Sequence, residues 1–210
     1  MTTVEKQETM AVEEVQEATG HEEFLKVGIH IGTKFRSKIM KPFIYRIRSD
    51  GLAILDVQKI ADRLDVVGKF LAKYDPAEIL VVCRRENGWK AVELFKKLTG
   101  ARAITGRYPP GILTNPKLDT FTETKLIFVV DPYPDRNAIR DAEKLGIAVI
   151  ALCDTNNDGK SIDLVMPCNN KGKKSLALVF MLLAKQIMLE RGLIKKESEF
   201  KYKLEDFSGE

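Results

Sequence analysis

A chain of 210 residues, 44% hydrophobic and 30% charged, has the size and balance of one soluble domain with tails. No apolar run approaches the ~18–20 residues that cross a bilayer, and the polar, acidic start fits neither a secretory signal nor a transit peptide, so a cytoplasmic protein is expected. The formal charge of +4 hides a segregation: seven acids against Lys6 give residues 1–23 a net −6, which leaves +10 on the rest, an acidic tail on a body suited to a polyanion.

Residues 1–18 lack large apolar side chains and are expected to be disordered. Thr19-Gly-His-Glu22 has the spacing of a capping box and predicts a short helix through Val27. "GIHIGT" follows as a loop. Asp50-Gly51, between "FIYRIR" and "LAILD", predicts a hairpin. Ile60, Leu64, Val67, Leu71 and Tyr74 recur at helical spacing until Asp75-Pro76 stops them. "EILVVC", "ARAIT", "KLIFVV", "IAVIALC" and "DLVMPC" predict strands. Between them lie a helix from about Asn87 to Thr99 closed by Gly100, the loop "GRYPPGILTNP", and a helix from about Asp135 to Gly146. A last, largely buried helix is predicted from about Lys171 to Arg191, and residues 193–210 form a mixed-charge tail expected to be loose. Strands apolar throughout and alternating with helices mean a parallel sheet covered on both faces. The expected fold is therefore α/β: a flavodoxin-like, three-layer, doubly wound sheet of about five strands, with an N-terminal helix and basic hairpin extension. The domain spans 19–192, and its working loops lie at the carboxyl ends of the strands.

Two motifs in "DTNNDGKS" fail on their own requirements. A calcium loop starting at Asp154 needs a bidentate carboxylate at its twelfth position, which is Val165. A P-loop ending at Gly159-Lys-Ser161 needs glycine where Asp154 stands and a helix where "IDLV" follows. An Asn/Asp/Gly turn between strands is expected instead. Asp131 and Asp135 put two carboxylates at a strand end, a place where enzymes of this architecture work. No histidine, activated serine or third acid completes a catalytic set there, and Asp135 can serve as a helix cap. Cys83, Cys153 and Cys168 are widely spaced without C-x-x-C and suit buried thiols. With only His21 and His30, a histidine-based zinc site is not expected.

The positive signal is basic. Lys34, Arg36, Lys38, Lys41, Arg46 and Arg48 follow one another without an acid, with Phe35, Phe43 and Tyr45 interleaved. Cations neutralise phosphates and aromatic rings stack on bases or pack beneath the cations. The alternative is an edge hairpin whose charges deter aggregation. In "PCNNKGKKS", Asn169 or Asn170 is expected to cap the last helix, with Lys171, Lys173 and Lys174 in its first turn. There they oppose the helix dipole unless an anion sits with them. Arg84, Arg85 and Arg107 add further basic loops on the carboxyl side of the sheet. Two other possibilities stay open: a small-ligand or phosphate-binding enzyme using Asp131, Asp135 and Asp154, and an acidic tail that acts as a protein-interaction arm.

"FLKVGIHIGTK", "MKPFIYRIRSDGLAILDVQKI", "GRYPPGILTNP", "IFVVDPYPDRNAIRDAEKLGIAVIALCDTNN" and "NNKGKKSLALVFMLLAKQI" together resemble the universal small-subunit ribosomal protein two family, from about Phe24 to Arg191. The resemblance is to the archaeal type. The coiled-coil insertion of bacterial relatives finds no room between Tyr74 and Glu78, and His30-Ile-Gly-Thr33 stands where they often have H-F-G-H. The long acidic extension of the eukaryotic counterparts, the laminin-receptor precursors, is absent, so no cell-surface role is inferred. The resemblance implies a non-catalytic constituent of the small ribosomal subunit, docked between head and body. Its implied partners are ribosomal RNA and neighbouring ribosomal proteins. No cofactor, metal, membrane or small-molecule substrate is implied. The RNA contacts are expected from the basic residues named above, which position the protein without reading base sequence.

Overall fold

The computed structural model describes residues 22–209. The acidic residues 1–18 and the expected capping box at Thr19 lie outside that range. Helix α1 covers residues 22–27. A two-stranded antiparallel hairpin follows, β1 (Ile44–Ile47) and β2 (Ala53–Leu55), and then helix α2 (Val57–Ala72). The body is a parallel sheet of β3 (Ile79–Cys83), β4 (Arg102–Thr105), β5 (Leu126–Val129), β6 (Ala148–Cys153) and β7 (Leu164–Pro167), in the order β4-β3-β5-β6-β7. Helices α3 (Glu86–Thr99), α4 (Arg136–Leu145) and α5 (Lys173–Glu190) follow β3, β5 and β7.

The chain steps from β3 outward to β4 through α3, and from β5 the other way to β6 through α4. Both crossovers are right-handed by the general rule for parallel units, so opposite directions put α3 and α4 on opposite faces. That makes three layers. Helix α5 packs between α2 and α3 on one face, while α4 covers β5 and β6 on the other. Burial on both faces explains why β3 and β5 are buried at every position and apolar throughout. In the centre the Phe180 ring meets Phe95 at 5.3 Å and Phe128 at 5.7 Å between centroids. Burying each such ring contributes roughly 1.5–3 kcal/mol.

Local signals set the element ends. Asp56 caps α2, its carboxylate accepting from Gln58 N at 3.1 Å. Gly100 ends α3 and Gly146 ends α4, both left-handed, with φ of 80° and 68°. The C-terminal segment departs from expectation. Leu204–Ser208 form a short helix, α6, that packs on α5 and α3 and buries Phe207 to 1% exposure. Asp206 holds its start by accepting from Lys203 N at 2.8 Å. One large apolar residue in a charged stretch has no periodicity to announce it, yet it anchors the segment.

Candidate nucleic-acid interface

The N-terminal extension forms as expected. The turn of the hairpin uses Gly51 at φ 84°, and Asp50 accepts from Leu52 N at 3.1 Å. Residues 30–33 lie along β2: Leu55 N donates to His30 O at 2.8 Å, Ala53 N to Thr33 O at 3.0 Å, and Gly32 N to Ala53 O at 3.0 Å. A β-carbon on Gly32 would stand 2.9 Å from Ala53 O, so only glycine permits this approach. Met40 is fully buried beneath the extension, and Arg63 lies 5.4 Å over the Phe43 ring. Lys34, Arg36, Lys38, Lys41, Arg46 and Arg48 are all exposed. Arg48 pairs with Asp50 at 3.3 Å; the other five form no ion pair among the described residues. Phe35 and Tyr45 are 79% and 70% exposed, so two of the three interleaved rings face solvent and the third packs inward. Arg36, Lys41 and Arg46 converge on one cleft of about 550 Å³, walled by Tyr45, Ile44 and Ile47 and by no acid.

The carboxyl end of the sheet is different. Here two of the cations, Arg85 and Lys171, are turned to internal use. Asp131, at the end of β5, is 1% exposed. Its Oδ2 receives Arg85 Nε at 2.6 Å and the Arg85 guanidinium again through Nη2, and its Oδ1 accepts from Asn157 Nδ2 at 3.0 Å and Tyr133 N at 3.1 Å. Asp154, after β6, is also 1% exposed; its carboxylate takes Lys171 Nζ at 2.9 Å and Thr155 N at 2.6 Å. Asn157 Oδ1 accepts from Asp154 N at 2.7 Å and from Asn170 Nδ2 at 3.0 Å. A buried carboxylate is tolerable only when paired and hydrogen-bonded, and this network supplies both. "DTNNDGKS" is therefore a structural junction. Thr155 also clamps the extension, accepting from Thr33 N at 2.8 Å through Oγ1 and from Ser37 N at 2.8 Å through its carbonyl.

The basic residues expected on this edge thus separate into two kinds. Arg85 and Lys171 neutralise buried acids. Asn170 is fully buried and donates to Leu152 O at 2.9 Å, which removes it from the surface. Asn169 bonds Gly28 O through Nδ2 at 3.2 Å, and its Oδ1 accepts from Lys171 N at 3.1 Å and Gly172 N at 3.2 Å. Neither asparagine is the helix cap: α5 starts at Lys173, its N-cap is Gly172, and Lys171 lies ahead of the first turn. Arg84, Arg107 and Lys174 are exposed and Lys173 is half-buried. Arg84 reaches Pro134 O at 3.4 Å, and Arg107 stands at the far edge beyond β4. Asp135 sits at the N-cap of α4 without capping it; its Oδ2 accepts from Arg84 N at 3.2 Å. Thr155 and Asn157 are the positioning residues that spacing alone missed. Their signal was a polar cluster directly after an apolar strand.

Between β3 and β5, where ligands of such sheets bind, the crevice is closed by the bonds from Arg84 and Arg85 to Asp131, Pro134 and Asp135. Burial raises the Asp135 carboxyl to about 6 and the Cys83 thiol to about 12. Burial likewise raises Cys153 and Cys168, so all three thiols stay protonated and unreactive. No group of three or more acidic, histidine or cysteine side chains suited to a metal occurs among the described residues. No helix among them is long and apolar enough to cross a membrane.

With Asp131 and Asp154 paired inside and the cations of the extension displayed outside, the arrangement is that of a protein with a basic docking surface on an α/β sheet. The profile of the family described as ribosomal protein S2 matches residues 24–123 and 118–189. The chain is 49% identical over 189 residues to the small ribosomal subunit protein uS2 of Thermoplasma acidophilum, covering 90% of this chain and 95% of that one. The same identity and coverage hold for the uS2 of Thermoplasma volcanium. That of Nanoarchaeum equitans is 47% identical over 184 residues, 88% of this chain and 92% of its own. The chain belongs to the ribosomal protein S2 family, and these relatives are archaeal.

Proposed function

We propose that this protein is a structural constituent of the small ribosomal subunit and serves translation there, in the cytoplasm, without catalysing a reaction. Its partners are ribosomal RNA and neighbouring ribosomal proteins, and its position is between head and body. The observation that carries the RNA contact is the acid-free cleft where Arg36, Lys41 and Arg46 converge beside the exposed Tyr45 ring. Three cations at one opening neutralise a phosphate backbone, and an aromatic wall accepts a sugar or base face. Lys34, Lys38, Arg48, Arg84, Arg107, Lys173 and Lys174 extend this charge. Arg85, Asn169, Asn170 and Lys171 contribute by holding the loops in place.

The rival, a small-ligand enzyme at the strand ends, would need Asp131 and Asp154 to give up Arg85 and Lys171. Leaving two buried carboxylates unpaired is costly, which disfavours it. The test is rebinding of the protein to salt-stripped small subunits across a salt series. Lys34→Ala, Arg36→Ala and Lys38→Ala together are expected to weaken binding and to flatten the log–log salt slope by roughly 0.7–0.9 per lost phosphate contact. A slope equal to wild type removes this segment from the RNA surface.

A further inference from the structure

A second cleft, of about 490 Å³, opens between the start of α4 and the turn that joins β6 to β7. Arg136 and Arg140, one helical turn apart, line one wall, and Lys160 lines the other. All three are exposed and form no ion pair among the described residues, although Glu143 and Asp158 also line the cleft. Tyr133 stands at its rim, 76% exposed. Its loop is stiff: prolines flank it on both sides, and its backbone N–H is tied to the buried Asp131 at 3.1 Å. The opposite wall is equally anchored, because Asn157 is bound to both Asp131 and Asp154. Three cations against two acids leave the cleft net positive, which favours an anionic occupant.

The turn on one side of the cleft also packs against the basic extension. Gly159, next to Lys160, packs so tightly on Ile39 that a β-carbon there would lie 2.2 Å from Ile39 Cδ1. Ile39 follows Lys38 in the chain, so this contact sets the extension beside the turn that carries Lys160.

We propose that this cleft is a second RNA-binding site, in which Arg136, Arg140 and Lys160 hold the phosphates of a single-stranded segment and Tyr133 stacks on one of its unpaired bases. It rests on the RNA-binding function proposed above and extends that interface around the end of β6 toward α4. Stacking on an aromatic ring is indifferent to base identity, so this site adds affinity without sequence reading.

Rebinding to salt-stripped small subunits tests it with full-length variants. Arg136→Gln, Arg140→Gln and Lys160→Gln together are expected to reduce the salt slope by roughly 0.7–0.9 for each phosphate released. Tyr133→Ala is expected to weaken binding about ten-fold at unchanged slope, with Tyr133→Phe restoring it. All four side chains are exposed, so unfolding midpoints stay at the wild-type value and report intact folding. If the cleft variants bind as wild type while Lys34→Ala, Arg36→Ala and Lys38→Ala weaken binding, this site is overturned and the general RNA function stands. If neither set weakens binding, both fall. Loss of affinity in the triple glutamine variant with the slope unchanged would assign the cleft to a protein neighbour, and it too overturns the proposal.

Discussion

The hairpin extension and the carboxyl edge of the sheet hold similar numbers of cations, but only the edge commits two of them to buried acids. On the edge, Arg85 and Lys171 are bound to carboxylates that are almost fully buried. On the extension, Arg36, Lys41 and Arg46 meet no acid at their shared opening. A cation beside a buried acid cannot leave it for a phosphate without stranding that acid. A cation in solvent sheds only screened, hydrated surroundings. The charge of Arg85 and Lys171 therefore holds the structure, and that of Arg36, Lys41 and Arg46 is open to a partner. The Thr33–Thr155 bonds and the Asn169–Gly28 bond join the two, so the stability of the edge sets the position of the extension.

Removing an edge cation gives the largest expected effect. Arg85→Met leaves Asp131 buried without its partner and is expected to cost about 3 kcal/mol. Thermal unfolding should then fall by about 6–12 °C. Adding Asp131→Asn should recover part of that loss, a coupling read from the double-mutant cycle. Additive losses would show that the pair is not the unit of stability. Asp135 offers a subtler break. Its folded pKa of about 6 lies above the reference 3.8, with burial as the main cause. The native chain thus holds the extra proton between those values. The contribution of this group to stability is present at low pH and is lost as the pH rises through about 6. Asp135→Asn, which keeps an acceptor for Arg84 N, should stabilise the protein by on the order of 2 kcal/mol at pH 8 and lose that advantage near pH 4. Urea unfolding of both proteins across this range checks it; a constant difference would contradict the assignment.

The contrast between the two regions was only half legible in the sequence. The strands could be read because burial on both faces makes "EILVVC" and "KLIFVV" apolar without alternation, and Gly100 and Gly146 marked helix ends that the structure places in the left-handed region. The extension was visible as cations without acids. The edge network was not. Asp131 and Arg85 are 46 positions apart, and Asp154 and Lys171 are 17 apart, at distances no periodicity links. Lys171 therefore resembled a phosphate ligand, and Asn170 a cap, until the fold turned them inward. "DTNNDGKS" was read as a turn between strands, but its long-range partners were hidden in the same way: Asn157 meets Asp131, Asp154 meets Lys171, and Thr155 meets Thr33 of the extension.

Within the extension, backbone and charge can be separated. Gly51→Ala meets nothing within 4 Å, so its only cost is the left-handed conformation at φ 84°. About 1 kcal/mol is expected, read as faster hydrogen exchange at Arg48 N, which bonds Leu52 O across the turn. The smallest effect on stability belongs to the free cations themselves. Lys41→Gln with Arg46→Gln removes two like charges from one cleft and breaks no ion pair among the described residues. Unfolding should shift by less than about 0.5 kcal/mol for each, and relief of repulsion can make the shift favourable. The same variant should lose affinity for salt-stripped small subunits, and its salt slope should drop by roughly 0.7–0.9 for each contact. Stability unmoved and binding weakened is the reverse of the Arg85→Met outcome. A fall in unfolding midpoint as large as that of Arg85→Met would mean that the extension also spends its charge internally, and the distinction between the two regions would fail.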